Sequence, residues 1–134
     1  MYKLSIVTPE RVFFEGDVLS SIIPGSEGYL GVLTDHAPLI TVVVPGKMTI
    51  RDSSQQEIML AVSYGFFEVS ANHAILLIDS VEYASEIDAE RAKDALARAK
   101  KRLADATGEI DIPRARRALV RAKNRIRIIQ SENE

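Results

Sequence analysis

Cysteine is absent from the sequence, which excludes disulfide bonds, thiolate metal sites and cysteine nucleophiles and fits a reducing compartment. The two histidines, His36 and His73, lie far apart and lack metal-ligand spacing. Because no Ser/His/Asp, Cys/His or metal constellation is present, an enzyme is the least favoured class of function. No apolar run approaches the roughly 20 residues that cross a bilayer, and residues 1–7 lack the apolar core of a signal peptide. We therefore expect no direct insertion into a membrane and no metal site.

Charge is unevenly distributed along the chain. The 134 residues, 46% hydrophobic and 27% charged, suffice for one compact domain with a modest appendage. The formal net charge of -2 conceals two opposite balances. Residues 1–85 carry four basic and ten acidic side chains, whereas residues 86–134 carry thirteen basic and nine acidic ones. A change of this size near residue 85 predicts two parts that face different partners.

The first part of the chain, up to about residue 83, reads as short strands separated by turns. Leu4 and Ile6 alternate with Lys3 and Ser5, which is the period of a half-buried strand. Further strands are expected at 12–14, 18–23, 30–33, 40–44, 48–50, 58–62, 66–69 and 74–78. Turn signals lie at 8–9, 15–17, 24–28, 45–46, 51–54 and 71–72. The spacing of roughly 8–12 residues predicts an antiparallel β-sandwich or barrel.

Two helices are predicted after Asp88. Apolar residues recur there at spacings of three and four, which places each set on one face of a helix. The sets are Ala92, Leu96, Ala99, Leu103 and Ala106, then Ala115, Leu119, Ala122, Ile126 and Ile129. Asp88 and Asp111 are expected to cap the helix starts, with Pro113 in a first turn and Thr107-Gly108 ending the first helix. The short connection makes the two helices antiparallel.

The sequence therefore predicts an α+β chain. An N-terminal antiparallel β-sandwich or barrel over residues 1–84 is followed by a C-terminal antiparallel two-helix hairpin over residues 85–134. Alanine supplies five of the ten residues in the two apolar stripes, so many contacts between the helices bury little area. Such a hairpin is marginally stable by itself, which suits a mobile regulatory element. A static hairpin packed against the sheet is the alternative interpretation.

The second predicted helix is strongly basic. Between residues 112 and 130 it has no acidic side chain and seven basic ones: Arg114, Arg116, Arg117, Arg121, Lys123, Arg125 and Arg127. A solvated helix face normally mixes both signs, so this helix favours an anionic partner: nucleotide, an acidic protein surface or nucleic acid. A free-standing nucleic-acid-binding module, with a β-barrel and a basic helical tail, is thus an alternative function. The pI of 5.7 and the lack of aromatic residues in this helix argue against nucleic acid.

Three segments carry a family resemblance. Residues 25–39 read Gly-Ser-Glu-Gly-Tyr-Leu-Gly-Val-Leu-Thr-Asp-His-Ala-Pro-Leu, residues 63–69 read Ser-Tyr-Gly-Phe-Phe-Glu-Val, and residues 6–10 read Ile-Val-Thr-Pro-Glu. In this order and spacing they resemble the epsilon subunits of F-type ATP synthases, and the likeness extends over essentially the whole chain. Two positions depart from the family pattern: Tyr64 stands where glycine is usual, and Tyr29 stands where an acidic residue is common.

The resemblance implies a non-catalytic rotor subunit of the central stalk, which couples the shaft to the proton-driven ring and inhibits ATP hydrolysis through its C-terminal helices. The implied partners are the shaft (gamma) subunit, the membrane rotor ring and an acidic segment of the catalytic beta subunits. The rotor-docking loop would include Glu27, Tyr29 and His36, and the seven basic residues of the second helix would be inhibitory. The complex would hold the chain peripherally on the cytoplasmic face of the bacterial inner membrane. From the residues alone, His36 beside Pro38 reads more simply as a structural turn residue.

A short motif suggests a nucleotide. Residues 87–92 fit the pattern I-D-x-x-R-A, which residues 110–115 repeat. The first copy resembles the ATP pocket of ATP-binding bacterial members of the family, so ATP is implied as a regulatory ligand, with no cofactor required. No G-x-x-x-x-G-K-[ST] loop is present, so hydrolysis is not expected. The implied nucleotide-binding residues are Glu82, Ile87, Asp88, Arg91, Ala92, Arg121 and Arg125. The alternative is that Asp-x-x-Arg forms only a helix cap and an i, i+3 ion pair.

Overall fold

The computed structural model describes residues 1–105 and 111–132, with the backbone alone for residues 131 and 132. The chain divides into two compact units, Met1–Tyr83 and Ala84–Glu134. We call them the β-domain and the helical hairpin. Within the described ranges, no helix has the length and apolar character needed to cross a membrane.

The β-domain contains nine strands. Their bounds are β1 Tyr2–Val7, β2 Val12–Gly25, β3 Gly28–Leu33, β4 Leu39–Val43, β5 Gly46–Asp52, β6 Glu57–Val62, β7 Gly65–Ser70, β8 His73–Ile78 and β9 Val81–Tyr83. Each segment that the sequence pattern predicted as a strand lies in or overlaps one of these strands. The three-residue strand β9, which pairs with β6, was not predicted.

β2 is one strand of 14 residues, where the sequence predicted two strands and a turn. The predicted turn at residues 15–17 is wrong, because these residues pair with β1: Glu15 lies opposite Ser5, and Asp17 lies opposite Lys3. The Lys3 ammonium also contacts the Glu15 carboxylate at 2.9 Å. The polar side chains therefore mark the exposed face of a paired strand rather than a turn.

The strands form one sheet in the order β1-β8-β7-β4-β2-β5-β6-β9, with β3 attached to β2. Because β1 also pairs with β2, five of these strands close on themselves around the core. β1 and β8 are parallel, whereas the other described pairings are antiparallel. The predicted antiparallel architecture is therefore confirmed, with this one parallel pair as an addition.

One hydrophobic core fills the β-domain. Side chains alternate between the inside and the outside of the sheet, as in β8, where Leu76 and Ile78 are buried while Ile75 and Leu77 are exposed. The largest fully buried side chain is that of Phe67 in β7. Its neighbour Phe66 is exposed. The period of two thus decides which apolar residues stabilise the domain and which remain available to a partner.

The helical hairpin begins with a 3-10 turn, Ala84–Glu86, and continues with helices α1, Ala89–Ala104, and α2, Ile112–Glu132. The alanine stripes lie where their spacing predicted them. The buried members are Ala92, Ala99, Ala115 and Ala122. α2 additionally buries Asn124 and Ile128, which the predicted stripe omitted.

The predicted connection between the two helices lies mostly outside the residues that the structure describes. The predicted helix stop at Thr107-Gly108 lies outside the described residues, as do Ala106 and Ile110. Pro113 lies in the first turn of α2, as predicted. Amide groups in a first turn have no acceptor within the helix, so proline costs no hydrogen bond there.

Candidate functional site

The segment that resembles a rotor-docking loop starts with a tight hairpin between β2 and β3. Gly25 lies opposite Gly28, so Ser26 and Glu27 form a two-residue tip. Gly28 has a φ of +125°, which residues with a side chain rarely adopt. A Cβ atom at Gly25 would lie 2.9 Å from the Gly28 carbonyl oxygen. The two glycines therefore permit the narrow tip on which Glu27 is exposed.

Tyr29 follows this tip at the start of β3, and 64% of its surface is exposed. Its hydroxyl accepts a hydrogen bond from the backbone amide of Lys47 at 3.3 Å. The phenol group is thereby tied to the start of β5, and the ring stays accessible. The start of β3 therefore presents an oriented aromatic ring.

His36 lies at the opposite end of β3 from Glu27 and Tyr29, so the structure does not bring the three predicted docking residues together. Its backbone amide donates to the Leu33 carbonyl at 3.2 Å, which closes a turn. Its ring Nδ1 lies 2.6 Å from the carbonyl oxygen of Ala37 and donates to it. The half-buried His36 therefore has a structural role in the turn, in line with the simpler interpretation of the sequence.

The outer surface of β4, β7 and β8 carries a contiguous apolar face that the sequence analysis missed. Val42 lies opposite Phe66, and Phe66 lies opposite Leu77 on the next strand. These three side chains are 45%, 57% and 49% exposed. Ile40 and Ile75 extend the face on either side of Glu68. We call these five apolar residues the outer apolar face.

An open cavity of about 390 Å³ adjoins the outer apolar face. Phe66 and Leu77 belong to both, and Pro9, Tyr64 and Gly65 complete this end of the sheet. A Cβ atom at Gly65 would collide with the Leu77 carbonyl oxygen, so only glycine allows the strands to approach this closely. Tyr64 contributes an aromatic side chain to the wall of this cavity.

Both copies of the I-D-x-x-R-A motif cap helices. The Asp88 carboxylate accepts hydrogen bonds from the backbone amides of Glu90 at 3.0 Å and Arg91 at 3.2 Å. The Asp111 carboxylate accepts one from the Arg114 amide at 3.0 Å. The predicted N-caps are thus confirmed. Both of these Asp88 hydrogen bonds use the same carboxylate oxygen, Oδ1, which therefore serves the first turn of α1.

An arginine-lined groove runs between α1 and α2. Its volume is about 210 Å³, and its floor consists of alanine side chains. Arg98 and Arg102 border it from α1, and Arg114 and Arg121 border it from α2. The described residues that line it include no acidic side chain. Four guanidinium groups around a small concave surface repel one another, and their N–H groups are of the type that suits phosphate oxygens.

The groove contains only part of the nucleotide set that the resemblance implied. Arg121 lines it, whereas Arg91 and Arg125 are not among its lining residues. Ile87, Asp88 and Ala92 lie at the start of α1, and Glu82 lies on β9 of the β-domain. Arg98 and Arg102 were missed. The spacing in the sequence could have indicated them: Arg98 and Arg102 lie four residues apart on either side of Ala99, so all three share one face of the helix.

Five of the seven basic residues of α2 divide between two surfaces. Arg114 and Arg121, seven residues apart, line the groove. Arg116, Lys123 and Arg127 follow one another at spacings of seven and four and are exposed, and we call them the basic stripe. Arg117 is exposed as well, and Arg125 is half-buried. The helix therefore presents positive charge both to the groove and away from it.

Two family models match the chain. The β-sandwich domain of the ATP synthase delta/epsilon chain matches residues 1–84, and the long α-helix domain of that chain matches residues 85–130. Similar proteins include the ATP synthase epsilon chain of Protochlamydia amoebophila, 45% identical over 77% of this chain and 70% of the relative. The epsilon chain of Moorella thermoacetica is 46% identical over 77% of both chains.

Two solved structures share the fold. A chain of the Euglena gracilis mitochondrial ATP synthase matches with a TM-score of 0.79 at 19% identity, covering 98% of this chain and 80% of that one. A chain from the central stalk and c-ring of the Tetrahymena thermophila mitochondrial ATP synthase matches with a TM-score of 0.62 at 16% identity, covering 98% and 96%. The family models and the bacterial relatives decide the assignment: the chain belongs to the delta/epsilon family of ATP synthase subunits, as an epsilon chain.

Proposed function

We propose that the chain is a non-catalytic rotor subunit, whose β-domain joins the shaft to the membrane ring and whose helical hairpin inhibits ATP hydrolysis. The observation that carries this proposal is the outer apolar face. Contiguous apolar surface of this kind marks protein interaction sites, because leaving it in water costs free energy. In an epsilon chain, the shaft (gamma) subunit is the partner that such a face fits.

The exposed surface at the β2–β3 hairpin suits the membrane rotor ring. The exposed hairpin tip brings Glu27 next to Tyr29, and Leu33 is exposed at the far end of β3. An aromatic ring next to a carboxylate, with an aliphatic side chain farther along the same strand, fits a partner surface that is partly apolar and partly polar. Docking on both partners would hold the chain peripherally on the cytoplasmic face of the bacterial inner membrane.

The basic stripe of α2 supports the inhibitory part of the proposal. Arg116, Lys123 and Arg127 lie along one exposed face and face no acidic residue of their own helix between residues 112 and 130. An acidic segment of the catalytic beta subunits complements this charge. Long-range attraction would steer the encounter and would weaken with added salt.

ATP is the regulatory ligand that we propose for the hairpin. The groove is smaller than the roughly 300 Å³ at which ligand pockets usually begin, so it fits the phosphate groups rather than the whole nucleotide. Binding there would offset the repulsion among four arginines and would stabilise the folded hairpin by mass action. The alanine seam has little stability of its own, so even modest ATP affinity would shift the hairpin toward its folded form.

Truncation of the hairpin tests the proposed division of labour. The full chain, and a version lacking residues 86–134, would each be added to the catalytic sector of an ATP synthase prepared without this subunit. We expect both chains to bind, and we expect only the full chain to slow ATP hydrolysis. Loss of binding in the truncated chain would show that the hairpin, rather than the outer apolar face, holds the subunit in the complex.

A further inference from the structure

Asp35 and Asn72 form a reciprocal hydrogen-bonded pair between two turns of the β-domain. The backbone amide of Asp35 donates to Asn72 Oδ1 at 2.7 Å, and Asn72 Nδ2 donates to Asp35 Oδ1 at 2.8 Å. Asp35 precedes His36 in the turn between β3 and β4, whereas Asn72 lies in the two-residue turn between β7 and β8. The pair thus joins segments that are 37 residues apart in the sequence.

Both residues adopt a backbone conformation that favours glycine. The φ of Asp35 is 65°, that of Asn72 is 60°, and that of Ala71 in the same turn is 50°. Among residues with a side chain, Asp and Asn enter this left-handed region most readily, and hydrogen bonds to the surrounding structure help to hold them there. Here the two side chains determine each other, because each one occupies a hydrogen-bonding group of the other turn.

Asn72 is itself fixed to the sheet. Two positive φ angles in a two-residue turn match the twist of the paired strands β7 and β8. In addition, the Asn72 carbonyl accepts a hydrogen bond from the Lys3 amide of β1 at 3.0 Å. The turn that contains Asp35 is therefore tied to a rigid part of the β-domain.

We propose that the Asp35–Asn72 pair is a clamp that positions the turn around His36 for docking on the membrane rotor ring. This inference rests on the proposed function, and it extends the ring-facing surface of β2 and β3 past Leu33 to the turn that follows β3. A turn held in one conformation loses less entropy when it docks than a turn that is free to move. The two residues are positioning residues: the clamp orients the exposed backbone and side chains at Ala37 and Pro38 without binding the ring itself.

Three variants separate the hydrogen bonds from the backbone conformation. Asn72→Gly keeps the positive φ accessible and removes both side-chain bonds. Asn72→Asp places a second carboxylate against Asp35. The double variant Asp35→Asn with Asn72→Asp restores a reciprocal pair in which donor and acceptor side chains have exchanged places. Thermal unfolding of each isolated chain identifies variants that fail to fold.

The readout is contact with the ring in the assembled ATP synthase. A photo-crosslinking amino acid at position 37 replaces an exposed alanine, and the yield of adduct with the ring subunit is measured. We expect both single variants to lower the yield about fivefold or more, because each loses at least one net hydrogen bond, and the double variant to restore it. Co-purification with the shaft subunit should be equal in all four proteins.

The outcomes distinguish the clamp from the proposed function. If the wild-type chain forms no ring adduct, the assignment of this segment to the ring is wrong, and the clamp with it. If the wild-type chain forms the adduct and both single variants form it equally, the ring contact stands and the clamp is overturned. A double variant as defective as Asn72→Asp would overturn the clamp too, because a restored pair should restore the position of the turn.

Discussion

Val42 and Phe66 lie directly opposite each other on neighbouring strands, and both side chains point away from the core. Phe67, the next residue, points into the core and is fully buried. Phe66 and Phe67 are adjacent in the same strand, but they have different structural roles. Phe67 stabilises the β-domain, and Phe66 belongs to the outer apolar face, which is exposed in the isolated chain.

We predict that the two phenylalanines differ sharply when they are truncated. Phe67→Ala should lower the free energy of unfolding by about 3–5 kcal/mol, because it removes buried area and leaves a cavity. Phe66→Ala should change it by about 0.5 kcal/mol or less, since an exposed side chain has little to lose. Urea unfolding of the isolated chain gives both values. Equal losses would show that Phe66 is packed in solution and that the outer apolar face is not free.

The buried hydroxyl of Tyr2 leads to a prediction about pH. Tyr2 lies 2.6 Å from the Ser21 hydroxyl and donates to the Val32 carbonyl at 3.2 Å. Burial raises the pKa of Tyr2 above its ordinary value of 10.0, and the bond to Ser21 opposes this increase. The unfolded chain therefore releases the proton at a lower pH than the folded chain does.

The contribution of Tyr2 to the free energy of unfolding should be fully present below pH 10. It should decrease as the pH rises from about 10 toward the higher pKa of the folded state. Tyr2→Phe should lower stability by about 1–3 kcal/mol at neutral pH, because Ser21 and Val32 lose a buried partner. Tyr2→Phe should also reduce the loss of stability above pH 10, because the variant has no phenol to ionise. Unfolding curves from pH 7 to pH 11 measure both effects, and a variant with an unchanged decline would exclude Tyr2 as its cause.

The arginine groove predicts which cations matter for ATP. Arg98→Ala and Arg121→Ala should each weaken ATP binding about tenfold or more, because each removes hydrogen bonds to a charged group. Arg116→Ala is the matched control, since Arg116 lies in the same charge-rich helix but outside the groove. Isothermal titration with ATP gives the affinities. If all three variants lose affinity equally, general electrostatic attraction to the hairpin, rather than the groove, binds ATP.

The repeated capping motif allows a similar comparison. Asp88→Ala and Asp111→Ala each remove an N-cap, which should cost about 1 kcal/mol of hairpin stability in both cases. If the first copy also contacts the nucleotide, Asp88→Ala should weaken ATP binding by more than Asp111→Ala does. Circular dichroism measures the helix content, and the ATP titration measures the affinity. Equal affinities would reduce the motif to its capping role.

Much of the fold followed from the sequence, because alternation and helical spacing are local properties. Apolar periodicity predicted the strands and both alanine stripes, and the caps at Asp88 and Asp111 were predicted from residue type. The turn at Glu15-Gly16-Asp17 was wrong, because pairing with β1 overrode the local polar signal. Local signals do not reveal which strand a polar residue faces.

The functional surfaces were harder to predict, because they depend on what the fold brings together. The uninterrupted apolar run at residues 75–78 indicates a strand covered on both faces, but the outer apolar face also needs the register of β4, β7 and β8. Likewise, Arg98 joins Arg121 only when α1 and α2 pack together. The pairing of Asp35 with Asn72 has no local signal at all.

Binding to the shaft subunit tests the central claim most directly. The isolated chain would be titrated into the shaft subunit of its own ATP synthase, and the wild type would be compared with Phe66→Ser and Val42→Ser. Val120→Ser on α2 is the control for a lost exposed apolar side chain outside the β-domain. We predict tight binding by the wild type and the control, with losses of about tenfold or more for Phe66→Ser and Val42→Ser. Equal binding by all four chains would contradict the account, because the outer apolar face would then not be the surface that joins this subunit to the rotor.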